Sequence, residues 1–311
     1  MKKIQNIRAV FKSILRKYRE YVILKSGRKY LYSRYGGPVN ALEEDWDNLI
    51  ILDACRYDTF AELSTLPGKL DWKLSTASAT MEWVRKTIGD RQFHDTVYVT
   101  ANPRINRYEG QFHKIIPVWK NEWDTELKVV TPDILTEITI DISEKHPKKR
   151  IITHFMQPHI PFIGRFGQSQ VGIYDGTTKG VDRALGNGYS PNTEPYVLLE
   201  KGELDQEVIR KAYKENLQIV LDEVKKLLET LHGKSVVTAD HGEMFGEIGW
   251  PSPFKIYGHK NRSPAKSLLK VPWLEYTNGD RREITGEVHP SSDQEINDDK
   301  IEERLEYLGY R

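Results

Sequence analysis

The sequence predicts an α/β fold: a three-layer α/β/α sandwich around a mostly parallel central sheet. Short runs that are apolar on both faces alternate with longer runs of helical period, which is the pattern of a sheet covered on both sides. The 311 residues, 38% hydrophobic and 29% charged, are enough chain for a sizeable core under a soluble surface.

The elements follow in order. Residues 1–37 carry eleven Lys or Arg against one Glu, and Ile4, Ile7, Val10, Phe11, Ile14 and Leu15 recur at helical spacing. This is a basic amphipathic segment that either packs on the domain or makes peripheral contact with an anionic membrane surface. The main domain spans 38–280, with strands at "NLIILD" (48–53), "TVYVTA" (96–101), "RIITHF" (150–155), "SVVTAD" (235–240) and "VPWLEY" (271–276). Helical patterns occupy 56–65, 80–88, 132–145 and 205–231. From about 164 to 200 the chain is rich in Gly, Asn, Ser and Thr, long for a connection, and reads as an excursion or lid over a site. Residues 281–311 read as an acidic helical tail that Gly309 would stop.

Several classes are disfavoured. A net charge of +1 offers no whole-chain attraction for nucleic acid. No apolar run approaches the ~18 residues of a membrane helix, and the N-terminus lacks the apolar stretch of a signal peptide. The single cysteine, Cys55, fits a reducing compartment. The expected location is cytoplasmic, with contact at the inner membrane face open through the basic N-terminus.

In parallel sheets, sites form beyond the carboxyl ends of the strands. Asp53 ends one predicted strand, and Asp240 and His241 end another, so three ligand types reach one edge. Mixed carboxylate and imidazole donors suit zinc, manganese, magnesium or calcium. A strand-end Asp also serves as a helix cap, and that alternative stands beside the metal reading. Gly242 is expected to let the chain turn sharply behind the ligands.

The segments "NLIILDACRYD", "VTADHGEMFGE" and "KSLLKVPWLEY", in that order, resemble the alkaline phosphatase superfamily, specifically its sulfatase-like branch, over residues 45–277. The resemblance implies a metal-centred site that cleaves or transfers phosphate or sulfate esters, with Asp53, Asp240 and His241 as ligands. Where that family often has a second Asp, this chain has Ala54. His259, in "FKIYGHKNRSP", would complete a second metal site or bind the leaving group. The nucleophile is expected in "LSTASATMEWVRKTIG": Ser78 first, then Thr80, then Thr76. A hydroxyl at a helix start is well placed for phosphoryl chemistry, although S/T-x-x-E is equally a capping box.

His159, in "THFMQPHIPF", would bind the substrate anion or protonate the leaving oxygen, whereas His154 reads as a core histidine. Arg56 would reach the anion or pair with Asp58, and Lys260 is a further anion-binding candidate. Glu243 and Glu247 would orient ligands, and Cys55 reads as a small buried thiol. "SATME" lacks the C/S-x-P/A-x-R pattern from which sulfatases make formylglycine, so an unmodified hydroxyl and phosphoryl chemistry are expected. The reading is a metal-dependent hydrolase or transferase of phosphate esters, on a small-molecule, glycan, lipid-linked or envelope-precursor substrate. A sulfatase and a noncatalytic metal-binding module on the same fold remain the alternatives.

Overall fold

A computed structural model describes residues 22, 24–173, 194–251 and 253–286. Most of the basic amphipathic stretch, most of the Gly-rich excursion and nearly all of the acidic tail lie outside these residues. Helix α1 spans 24–35. The sheet strands are β1 (Asn48–Asp53), β2 (Lys69–Leu74), β3 (Phe93–Thr100), β4 (Phe112–Pro117), β5 (Arg150–Pro158), β6 (Gly233–Ala239) and β9 (Lys270–Asn278). Between them lie α2 (Tyr57–Leu63), α3 (Thr80–Thr87), α4 (Pro132–Lys145), α5 (Arg165–Gln170), α6 (Pro195–Lys201), α7 (Gln206–Thr230) and α8 (Lys266–Leu269), with a small hairpin of β7 (Phe245–Ile248) and β8 (Lys255–Tyr257).

The seven-stranded sheet runs β2-β9-β6-β1-β5-β3-β4. The strands from β6 through β4 are parallel, while β9 is antiparallel to both β6 and β2. All five expected strands are present. The two unanticipated ones, β2 and β4, form the sheet edges. β2 alternates exposed and half-buried residues in "KLDWKL", so it never offers the doubly apolar run of a central strand. "FHKIIP" ends in a proline, which an edge tolerates.

Alternation along β1 builds both layers. Leu49 and Ile51 pack with Trp46, Trp83, Val84 and Ile88 on one face; Ile50 and Leu52 pack with Phe60, Leu135, Leu217, Val220 and Val224 on the other. The mostly parallel α/β/α architecture follows directly. On α7, Leu217, Val220, Val224, Leu227 and Leu228 are fully buried, each contributing roughly 1.5–3 kcal/mol.

Two buried polar contacts shape the surroundings of the site. Asn216, inside α7, accepts from the Ile163 N–H at 2.7 Å and donates to the carbonyls of His159 at 3.1 Å and Pro161 at 3.0 Å, which fixes the loop after β5. Arg28 of α1 donates to both Glu82 oxygens at 2.8 and 2.9 Å, while Leu31 is buried against Leu74 and Leu269. Residues 24–35 are therefore packed against the domain.

Burial alone would raise the Glu82 carboxyl, but bonds from Arg28, Lys86 and the Arg262 N–H outweigh it and bring its pKa to about 2. Because that value lies below the ordinary 4.5, the stability Glu82 contributes is present above about pH 4.5 and is lost as pH falls towards 2. Arg28→Ala should cost about 3 kcal/mol in urea unfolding at neutral pH and should flatten the curve between these pH values.

Candidate metal centre

The functional candidates converge where β1 and β6 end side by side, with Leu52 paired to Ala239. Asp53 closes β1, and Asp240 and His241 follow β6; all three are fully buried. One ligand-type atom from each lies within 4.8 Å of the others. His241 Nδ1 is 2.8 Å from the Gly242 carbonyl. A carbonyl can only accept, so Nδ1 carries a proton and Nε2 is the nitrogen left to meet a metal. That Nε2 lies 3.3 Å from Asp240 Oδ2 and 3.9 Å from Asp53 Oδ1.

The carboxylates are only partly satisfied from within. Asp240 Oδ1 accepts N–H groups of His241 at 2.8 Å and Ala54 at 3.1 Å, the latter presented by a left-handed Ala54 (φ 57°). Asn102, just beyond β3, donates to Asp53 Oδ2 at 3.2 Å. Asp240 Oδ2 is buried without a hydrogen-bond donor, a cost of about 1–3 kcal/mol that a cation would offset. Burial raises the Asp240 carboxyl, and the neighbouring imidazoles of His241 and His154, with the Ala54 N–H, bring it below its ordinary value. The donor set and the unsatisfied oxygen fit a divalent metal.

Gly242 is needed for a different reason than a turn. A Cβ there would sit 2.0 Å from the Ser267 carbonyl oxygen, and its own N–H donates to Leu268 O at 2.9 Å. The glycine lets α8 press directly against the ligand loop.

A second cluster adjoins the first. His159, Glu243 and His259 also bring one ligand-type atom each within 4.8 Å. His259 is 4.3 Å ring to ring from His241 and 5.1 Å from His159, and its Nδ1 is 3.1 Å from Glu243 Oε2. Burial, then the facing imidazoles, push His159 and His259 well below the usual histidine range, while burial pushes Glu243 up to about 8. Glu243, expected to orient other ligands, is itself among the ligand-type groups.

The hydroxyls part company. Ser78 Oγ accepts from Arg28 Nη2 at 2.8 Å and the Ser263 N–H at 2.9 Å, and donates to Lys260 O at 2.7 Å. One donor and two lone pairs are all a serine hydroxyl has, so Ser78 is a strut beneath the Lys260 loop. Thr76 offers its carbonyl to Lys86. Thr80 is the first residue of α3, and its Oγ1 lies 3.1 Å from His241 Nε2. The N-cap is Ala79, without a side-chain cap, so neither hydroxyl closes a capping box; Glu82 is engaged by Arg28 instead.

Other expectations resolve as follows. Arg56 is paired with Asp58 at 2.5 Å, with Glu247, and with the Glu243 carbonyl at 2.9 Å, so it braces the loop. Glu247 also receives Arg210 at 3.1 Å. His154 is a core residue, its Nδ1 2.9 Å from the Tyr98 hydroxyl, and burial lowers its pKa to about 4. Cys55 is buried, and burial pushes its thiol up. Lys260 lines a cavity of about 530 Å³ with Thr80, His159, His259 and Arg104, as do Glu194 and Glu200. Arg104 and Asn102 were not singled out by the sequence. They lie in the segment after β3, whose carboxyl end reaches the same sheet edge as β1 and β6.

No family model matches the chain, and neither does any curated protein. Among solved structures, it is similar to the soluble domain of lipooligosaccharide phosphoethanolamine transferase A from Neisseria meningitidis (12% identity, 73% of this chain and 75% of that one, TM-score 0.45). It is also similar to the C-terminal periplasmic domain of EcEptC from Escherichia coli in complex with zinc (16%, 74% and 72%, TM-score 0.49). A third is a protein in the alkaline phosphatase superfamily from Vibrio parahaemolyticus (12%, 79% and 63%, TM-score 0.40). Among the described residues, no helix is long and apolar enough to cross a membrane.

Asp240→Asn removes a charge and one ligand-type oxygen. It should weaken zinc or manganese binding on the order of a hundredfold or more, since even groups behind the ligands cost 10–100-fold. Competition with a chromogenic chelator measures it.

Proposed function

We propose that this chain is a metal-dependent transferase or hydrolase of phosphate esters, with Thr80 as its nucleophile. The observation that supports this reading is the position of Thr80: at the start of α3, without a capping role, beside His241 Nε2 and on the wall of the cavity. Asp53, Asp240 and His241 would hold one divalent cation, and His159, Glu243 and His259 offer donors for another. A bound cation would supply Lewis acidity towards an anionic ester and lower the pKa of a neighbouring hydroxyl.

The chain's own groups do the rest. Arg104 and Lys260, on the cavity wall, face the negative charge of the ester. The amides at the start of α3 favour phosphoryl oxygens near Thr80. Thr80 Oγ1 bonds to phosphorus as the bond to the leaving alcohol breaks; the Thr80 proton passes to water in the open cavity, and a proton from water reaches the departing oxygen. Water or an acceptor hydroxyl then takes the phosphoryl group from the threonine, so hydrolysis and transfer differ only in the last partner.

His159 is better suited to holding a cation than to acting as an acid. Its Nδ1 meets the Ile160 carbonyl at 2.7 Å, so Nε2 carries a lone pair, and burial keeps the ring neutral at pH 7.

The test compares metal-loaded Thr80→Ala and Ser78→Ala on phosphate mono- and diesters, with sulfate esters alongside. Thr80→Ala should keep its metal and lose phosphoester turnover on the order of a thousandfold or more. Ser78→Ala should unfold more easily but turn over normally per folded molecule. Loss of chemistry only in Ser78→Ala would overturn the assignment, and a preference for sulfate esters would overturn the phosphoryl reading.

A further inference from the structure

The geometry points to a lipid-bilayer docking surface at the tip of the β7–β8 hairpin and the adjoining face of α1, selective for anionic membranes. This goes beyond the chemistry at the cavity and stands independently of it. The described residues expose few large apolar side chains, and most of those gather here: Ile248 at 61%, Phe254 at 57%, and Trp250 and Tyr30 each at 46%. Tyr30 and Trp250 meet edge to face with centroids 5.2 Å apart, so the helix and the hairpin tip form one surface. The joint is close-packed, since a Cβ on Gly27 would sit 2.7 Å from Pro264 and 3.0 Å from Pro251. Backbone bonds hold the tip in place: Gly249 N–H to Phe254 O at 3.0 Å, and Lys266 N–H to Trp250 O at 3.0 Å.

An apolar patch alone does not name its occupant; charge does. No Asp or Glu occurs between residues 22 and 35 or between 248 and 262, whereas Lys25, Arg28, Lys29, Arg34, Lys255, Lys260 and Arg262 all do. Arg28 is committed to Glu82, but Lys29 and Lys255 are exposed and directly follow or precede patch residues. The chain entering α1 is itself basic, with seven Lys or Arg in residues 1–21 against Glu20. Tryptophan and tyrosine flanked by lysines suit the headgroup level of a bilayer, where one end of the ring is apolar and the other wet. Anionic lipids supply the matching charge.

The placement also matters for the cavity. Tyr257, at the base of the hairpin, lines it, and Phe254 is three residues away, roughly 10 Å along an extended strand. Docked by its tip, the protein would hold the cavity close to the headgroups.

The experiment is sedimentation of the full-length chain with vesicles of phosphatidylcholine, with and without about a third phosphatidylglycerol. Two double variants are run beside it, Trp250→Ala/Phe254→Ala and Lys29→Glu/Lys255→Glu, with the exposed Phe254→Ser alone as a check should loss of Trp250 loosen the fold. Circular dichroism melts confirm folding. Wild type should bind the anionic vesicles, with neutral vesicles binding at least tenfold more weakly. The aromatic variant should bind the anionic vesicles roughly tenfold more weakly than wild type, and Phe254→Ser severalfold more weakly. The charge variant should lose roughly fivefold or more for each lysine. Equal binding of wild type and aromatic variants would overturn the proposal, as would failure of wild type to bind anionic vesicles. A wild-type dimer that the aromatic variant dissociates, with no vesicle binding, would assign the patch to a second copy of the chain. Because binding is read without turnover, the outcome does not depend on Thr80.

Discussion

Two carboxylates buried side by side at the dry end of a parallel sheet are the constraint on which the site depends. Asp53 and Asp240 have no access to water, and charges so placed repel each other strongly unless donors or a cation intervene. The surrounding backbone is arranged accordingly: Ala54 adopts a left-handed conformation to present its N–H, Asn102 reaches over from β3, and His241 turns Nε2 inward. What these donors leave unsatisfied, notably Asp240 Oδ2, is the part a metal would complete.

The fold turns long-range packing into short-range chemistry. Asn216 on α7 fixes the carbonyls of the His159 loop, Gly242 lets α8 approach the His241 loop, and Arg56 ties α2 to the Glu243 loop. Arg28 joins α1 to both Glu82 and Ser78. None of these groups belongs to the two ligand-type clusters, yet each braces a segment that carries one of them or lies beside it.

Much of this was legible in the sequence. The central strands announce themselves because both faces must be apolar, and β1, β3, β5, β6 and β9 sit where the runs predict. Asp53, Asp240 and His241 could be grouped because strand ends in such sheets share an edge. The edge strands β2 and β4 were not legible: β2 is half-exposed and carries the same polar residues as a loop, and β4 is a short run that ends in a proline. Nor was the choice between Ser78 and Thr80. Both are hydroxyls flanking Ala79, and the deciding partners of Ser78 lie 50 to 185 residues away in sequence, at Arg28, Lys260 and Ser263. Arg56 was ambiguous for the same reason, until Glu247 and the Glu243 carbonyl were placed around it.

The central claim is that a phosphoryl group passes through Thr80. The most direct measurement is an acid quench of the metal-loaded protein during turnover of a phosphate ester, followed by peptide mass spectrometry. Phosphate on the Thr80 hydroxyl, rising and decaying with turnover, is the result this account predicts. Phosphate on Ser78, or steady turnover with no phosphorylated residue at all, would contradict it.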